Sequence, residues 1–412
     1  MQIVIIGAGI VGIQAAHALM DDGHMVTLID PDGLAQRTSK GHAGYIAHTD
    51  ILPLASPKAW RHLPRWLLDP LGPLSIRPAY ALRILPWMLR FLAASTPARI
   101  EAGTAALIAL NGMALPAWER RLGKLGLTEK HLRHKGFLNV FSSAADFAAS
   151  ASVFARQRQA GITVELLPGS AELRKLEPAL SSRAVAAAFY PAGVSVDDTA
   201  GIARSVGEAA LARGARLVRS EVTSIAPVDG GVAVTLGTGE ALAGGLAIIS
   251  AGVWSKTLAG QLGDAIPLDT ERGYNLTLPK GALGLTRPVI FEGLGFVSTP
   301  LDSADRIGGA VEFAGLAAAP NYARIDAMLA RARPLLPDAK FDGGTRWMGL
   351  RPSLPDSLPV ISRSRASECI LYAFGHGHYG LTQSAATGEL IAQLAAQRPT
   401  SIDLKPFSGQ RF

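Results

Sequence analysis

Hydrophobic and polar positions change period several times along the chain, and each change marks an element. Residues 2–7 (QIVIIG) form a short β-branched run, and apolar positions then recur at helical spacing over 10–22. Residues 25–30 (MVTLID) are a second apolar run, ending on an acid. The order predicted is strand, glycine turn, helix, strand: one βαβ unit. Residues 76–129 read as mostly helical, with breaks at Pro78, Pro86, Pro97 and Pro116. Beyond Gly136 the pattern turns to short strands (136–141, 162–167) around a helix at 145–160. A helix over 197–214 then leads into two strands about an Asp-Gly-Gly turn at 229–231. Residues 246–254 read as a buried strand running into a glycine turn, 274–313 as strands, and 322–335 as a helix. Neither a repeat nor a linker-like tract separates these stretches.

Composition narrows the class. The 412 residues, 48% hydrophobic and 18% charged, suit a soluble globular chain of two domains. The one cysteine, Cys369, excludes an intramolecular disulfide and, within the run CILY, reads as packing. The first residues lack the basic region of a secretory signal, and no apolar run reaches the roughly 18 residues of a membrane span. These features point to a cytoplasmic protein.

The net charge of +7 is concentrated. Lys58, Arg61, Arg65, Arg77, Arg83, Arg90 and Arg99 face only Asp69 in their stretch, interleaved with Trp60, Trp66, Trp87 and Phe91. Two readings stand: a surface for an anionic membrane, peripheral on the cytoplasmic face, or a helical segment whose apolar side is core. No nucleic-acid motif accompanies the patch, and nucleic acid is not an expected partner.

The candidate chemistry begins at Gly7, Gly9 and Gly12, spaced G-x-G-x-x-G between strand and helix. The first allows the turn, the second lets backbone approach a pyrophosphate, and the third lets helix and strand pack. Ala8, Ile10 and Val11 complete the loop, and Asp30, with Pro31 after it, stands where a carboxylate meets adenosine ribose hydroxyls. An acid there disfavours a 2′-phosphate, so the expected ligand is NAD or FAD rather than NADP.

Four further segments resemble the flavoprotein amine and D-amino-acid oxidoreductases, the DAO group with D-amino-acid dehydrogenases, glycine oxidase and the sarcosine enzymes. The first is RTSKGHAGYI, which contributes Arg37, Thr38, Ser39, His42, Ala43, Gly44, Tyr45 and Ile46. The second is AGVWS, with Ala251, Gly252 and Trp254, together with Val222 on the preceding strand. WMGLRPSLPDSLPVI supplies Gly349 and Arg351; FGHGHYGLTQSAATGELI supplies Gly377, His378, Tyr379, Gly380, Leu381 and Thr382. The resemblance covers the whole chain and implies a Rossmann-like FAD-binding domain (1–57, 150–262, 343–412) interleaved with a substrate domain of antiparallel sheet and helices (58–149, 263–342). It implies non-covalent FAD. His42 replaces the family's usual asparagine, and a polar contact near the ring is expected of it rather than a covalent tether. His376-x-His378 lacks a third ligand, and no metal is expected.

The resemblance also implies hydride transfer from the Cα of a free D-amino acid, D-proline and D-hydroxyproline among the candidates, to flavin N5. Arg351 is expected to grip the carboxylate, in competition with an ion pair to Asp356 or Glu271. Tyr274 is expected to help hold the carboxylate, with Arg272 supporting its turn. His378 is either a proton acceptor or a packing histidine. A quinone is the expected electron acceptor. The rivals are an oxygen-using glycine or sarcosine-type oxidase and a flavin-holding subunit of a larger amine dehydrogenase.

Overall fold

The computed structural model describes residues 1–55, 69 and 71–412. Its first layer is a six-stranded sheet in the order Arg216–Val218, Met25–Ile29, Gln2–Ile6, Leu246–Ile249, Ile370–Phe374, Val360–Arg363. All neighbours are parallel except the last pair. Parallel strands buried on both faces read as unbroken apolar runs, which is why QIVII, MVTLI and LAII are legible from sequence. Helices Ile10–Asp21 and Gly380–Ala395 lie together on one face and share a core of Ile13, Ala16, Leu19, Ala386, Leu390 and Ile391. A three-stranded antiparallel sheet (Val222–Val228, Gly231–Leu236, Ala241–Gly244) covers the other.

A nine-stranded mixed sheet forms the second half. Next to one edge of it, Asp269–Pro279 pairs antiparallel with both the edge strand Thr345–Ser353 and Ala304–Phe313. The second pairing is bulged between Arg272 and Tyr274, and Ala310, on the partner strand there, has a left-handed φ of 60°.

Packing divides the chain differently from the expected boundaries. Helix Pro97–Leu125, in a segment expected to belong to the substrate half, buries Leu107, Leu110 and Trp118 in the core of the Rossmann-like half. The Trp118 indole donates to the Leu381 carbonyl at 2.8 Å. This helix is long and apolar enough to cross a membrane, but its buried face is a core face. Conversely, Glu165–Leu167 and Ala186–Tyr190, expected on the FAD side, are strands of the nine-stranded sheet. Hydrophobic period identifies an element without saying which core it joins.

Two expected proline breaks are absent. Pro86 lies inside helix Ala81–Ala94 and Pro116 inside Pro97–Leu125. Each removes one helical hydrogen bond, and tertiary packing holds the helix through: Ile84 and Trp87 are buried with Phe313, and Ala114, Ala117 and Trp118 are buried around Pro116. The outward side of Ala81–Ala94 exposes Leu82, Leu85, Leu89 and Leu92, beside Arg83 and Arg90. The rest of the basic, tryptophan-rich stretch (Lys58, Trp60, Arg61, Arg65, Trp66) lies outside the described residues.

Candidate active site

A cavity of about 1240 Å³ runs between the two halves, from the glycine turn to the centre of the large sheet. At its nucleotide end Gly7 has φ +106°, and a Cβ there would stand 2.5 Å from the Ser250 carbonyl oxygen. A Cβ on Gly12 would meet the Gly7 carbonyl oxygen at 2.1 Å, so both positions demand glycine. Asp30 accepts backbone N–H bonds from Ala8 and Asp32 at 3.0 Å and from Gly33 at 3.1 Å, which fixes the carboxylate beside the turn. Arg37 pairs with Asp32, and its guanidinium lies 4.2 Å over the Trp254 ring. Pro31, Val222, Ala251 and Gly252 complete this end.

The middle of the cavity is built by contacts across the sequence. The Ile10 N–H donates to Ser39 Oγ at 3.0 Å, and the Thr38 hydroxyl to the Leu350 carbonyl at 2.8 Å. Arg306 donates to the Lys40 and His42 carbonyls at 3.3 and 3.0 Å, pinning the segment to the large sheet. His42 Nδ1 accepts from the Gly44 N–H at 3.1 Å, and burial, with Arg306 nearby, lowers its pKa to about 3. It is a neutral ring turned toward its own loop. On the facing wall Gly377, Tyr379, Gly380, Leu381 and Thr382 open helix Gly380–Ala395, which no side chain caps. Thr382 Oγ1 accepts from the Ala47 N–H at 2.9 Å. Free N–H groups and the helix dipole make this wall favourable to negative charge.

The substrate end rests on strand register. Glu271 pairs with Arg351, Gly273 with Gly349 and Asn275 with Trp347, and alternation puts all six on the cavity face. A Cβ on Gly273 would lie 2.2 Å from the Arg351 guanidinium, which therefore needs a glycine beneath it. Arg351 Nη1 donates to the Ala310 carbonyl at 2.9 Å, the carbonyl turned there by the bulge. Neither expected rival holds this arginine. Asp356 is bound by Arg411 at 2.6 Å, and Glu271 faces His378 Nε2 at 2.6 Å. Among the described residues no carboxylate lies within ion-pair distance of Arg351. Burial disfavours charge on Glu271, but His378 and Arg351 outweigh it and hold the carboxyl below its usual range.

Tyr274 is not placed for the role expected of it. It borders the cavity, but its ring is buried in the core with Leu276 and Phe296, and its hydroxyl donates to Glu312 Oε2 at 2.5 Å and accepts from the Asn321 N–H at 3.1 Å. Glu271, three residues earlier and so on the opposite face of the strand, turns to His378 instead. The two histidines diverge: His376 Nε2 pairs with Thr387 Oγ1 at 3.0 Å and burial lowers its pKa to about 3, while His378 turns to Glu271. Ala8, Gly12, Gly44 and Ile46 lie behind the cavity wall; the remaining expected cofactor contacts line it.

Residues that the sequence did not single out complete the far wall. Asp50 and Glu292 both line the cavity. Burial and then the neighbouring Glu292 raise the Asp50 carboxyl to about 7. Asn139 Nδ2 donates to Glu292 Oε1 at 3.2 Å. Strand alternation about Arg351 could have found Glu271; no local signal marks Asp50.

A cradle of side-chain-free glycines at one end, an electropositive helix terminus beside the middle and an arginine at the other end fit a flavin dinucleotide. The family profile described as "FAD dependent oxidoreductase" (DAO) matches residues 2–394. The chain is 38% identical over 426 residues to a D-amino-acid oxidase of Bradyrhizobium diazoefficiens, covering 100% of this chain and 98% of that one. It is 30% identical over 448 residues to D-amino acid dehydrogenase 2 of Ralstonia nicotianae, covering 100% of both. Among solved structures, glycine oxidase from Geobacillus kaustophilus superposes with TM-score 0.74 at 21% identity, over 100% of this chain and 98% of that one. L-proline dehydrogenase from P. horikoshii does so with TM-score 0.76 at 18% identity, over 100% and 97%.

Proposed function

The chain belongs to the DAO family of FAD-dependent oxidoreductases, and we propose that within it the protein is a D-amino-acid dehydrogenase. FAD-dependent oxidation of amino acids is the family's chemistry; the hand of the substrate and the acceptor are the proposal. The observation that carries it is Arg351, a guanidinium on the cavity floor above Gly273, bound to one carbonyl and to no carboxylate among the described residues. A planar fork with donors to spare matches a substrate carboxylate. Anchoring there fixes the Cα hydrogen relative to the flavin ring. FAD, when bound, would supply the two-electron acceptor for that hydrogen. His378, held by Glu271, stands beside Arg351 to receive a proton from the substrate ammonium, so that the amine is neutral when its C–H bond breaks. The imino acid then adds water and releases a 2-oxo acid and ammonia; a cyclic substrate would stop at the imine. The names of the two relatives support the D-hand.

Anaerobic titration with paired D- and L-amino acids, followed at the oxidised flavin band, tests this. Bleaching by D-forms alone is expected; an unmoved band with every pair would sink the reading.

The acceptor is a quinone in this proposal, reached by peripheral docking on an anionic bilayer. Leu82, Leu85, Leu89 and Leu92 recur at helical spacing on the exposed side of Ala81–Ala94, flanked by Arg83 and Arg90, the pattern of an interfacial helix. Replacing Leu82 and Leu89 by Ser should abolish co-sedimentation with anionic vesicles; retained binding would leave the stripe without that role. The second reading is an oxygen-using oxidase, favoured by the name of the Bradyrhizobium relative. Oxygen uptake during turnover without added acceptor identifies it.

A further inference from the structure

Among the described residues, the part of the cavity wall that carries Asp50 and Asn139 presents acceptors that no protein donor serves. No described group donates a hydrogen bond to the Asp50 carboxylate, although Asp50 faces the cavity, and the Asn111 amide binds only its backbone carbonyl. Asn139 reaches Glu292 through its amide nitrogen, and its buried Oδ1 has no hydrogen-bond partner. Tyr379 is 7% exposed and lines the cavity, and its hydroxyl makes no hydrogen bond to any described residue. Tyr190 gives its hydroxyl hydrogen to Gln157 Oε1 at 3.0 Å and so has none left to offer Asp50. Buried acceptors normally find donors within the protein. The Asp50 carboxylate and Asn139 Oδ1, both without a donor among the described residues, mark the place on the cavity wall where a ligand brings one.

We propose that Asp50, with the Tyr379 hydroxyl beside it and Glu292 across from it, forms a subsite for a positively charged side-chain group, an ammonium or guanidinium, so that the preferred substrates are basic amino acids. The subsite rests on the amino-acid reading of the cavity and adds the side-chain class to it. The acids are not needed by the α-ammonium, because the carboxylate near Arg351 is Glu271, already joined to His378. Asp50 instead neighbours Glu292, on the part of the cavity wall that also carries Asn139, Tyr190 and Gln157. Among the described residues no lysine or arginine forms an ion pair with Asp50. Arg331, which also lines the cavity, pairs with Asp69 at 2.9 Å. A substrate of lysine or arginine type, gripped at its carboxylate by Arg351, supplies the missing charge at its far end. A close buried charge pair of this kind discriminates by roughly 30–100-fold against a neutral isostere.

The test is anaerobic stopped-flow reduction of the holoenzyme by D-lysine and by D-norleucine, which has the same chain length without the terminal ammonium, at pH 8. Wild type should reduce about 30–100-fold more efficiently with D-lysine, and Asp50→Asn should bring the ratio to within about threefold. Tyr379→Phe should lower the ratio severalfold and serves as the second variant if Asp50→Asn does not retain FAD. Equal efficiencies in wild type would overturn the subsite while leaving D-amino-acid oxidation standing. A ratio unchanged by Asp50→Asn would also overturn it, since a structural aspartate alters flavin retention and not the choice between these two substrates. A flavin reduced by no amino acid of either hand would remove the proposed function and this subsite together.

Discussion

Asp30 and Asp50 line the same cavity at opposite ends, and the protein treats them in opposite ways. Asp30 accepts three backbone N–H bonds from the turn around it. Asp50 accepts none from the described residues, and burial beside Glu292 raises its carboxyl to about 7. A carboxylate saturated by backbone donors is held in place before any ligand arrives, which suits a cofactor that stays. A carboxylate left without donors costs stability in the empty protein and recovers it only when a ligand brings charge, which suits a substrate that comes and goes. The same contrast separates Arg351, bound to one carbonyl, from Arg306, tied to Thr277 and two carbonyls of the loop it pins.

The largest effects should come from emptying either end. Asp30→Ala removes the acceptor for three N–H groups at the nucleotide end, and FAD affinity is expected to fall by roughly 10²–10³-fold, read as flavin retained on gel filtration. Arg351→Ala should keep its flavin yet lose about 10³-fold in the efficiency of flavin reduction, because its guanidinium is bonded to the Ala310 carbonyl and to none of the residues of the nucleotide end. If both variants lose flavin equally, the two ends are not separable.

A smaller effect sharpens the contrast through pH. The folded Asp50 carboxyl titrates near 7, above its ordinary value of 3.8. Between those values the folded state binds more protons than the unfolded one, so this group makes stability fall as pH rises, with the full penalty present above about 7. Asp50→Asn should therefore raise the thermal midpoint of the FAD-free protein at pH 8 and do much less at pH 5. The gain at pH 8 should be roughly 1–2 kcal/mol, since the open side of the cavity screens part of the penalty. Equal shifts at both pH values would mean that the charge of Asp50 is not what costs stability.

Much of this molecule was legible locally. The parallel strands declared themselves as apolar runs, and the glycine turn with Asp30 declared the nucleotide end, because a φ of +106° at Gly7 and a backbone approach are demands that only glycine meets. Arg351 was legible through Gly-Leu-Arg-Pro. Tyr274 was misplaced by one strand position: the motif that names it leaves open which face it takes, and the bulge opposite Gly273 and the pairing of Glu271 with Arg351 settle that. The helix Pro97–Leu125 was legible as a helix, while its allegiance to the Rossmann-like core was not.

By itself the sequence determined the elements, the dinucleotide cradle and the family chemistry, because each depends on neighbours within a few residues or on a contiguous motif. Tertiary structure alone decided that Glu271 would hold His378, that Arg351 would stay clear of both Asp356 and Glu271, and that Asp50 and Glu292 would meet across a cavity. Those partners lie far apart along the chain. Their energies come from burial and from charge at short range, and both quantities exist only after the two halves have closed on each other.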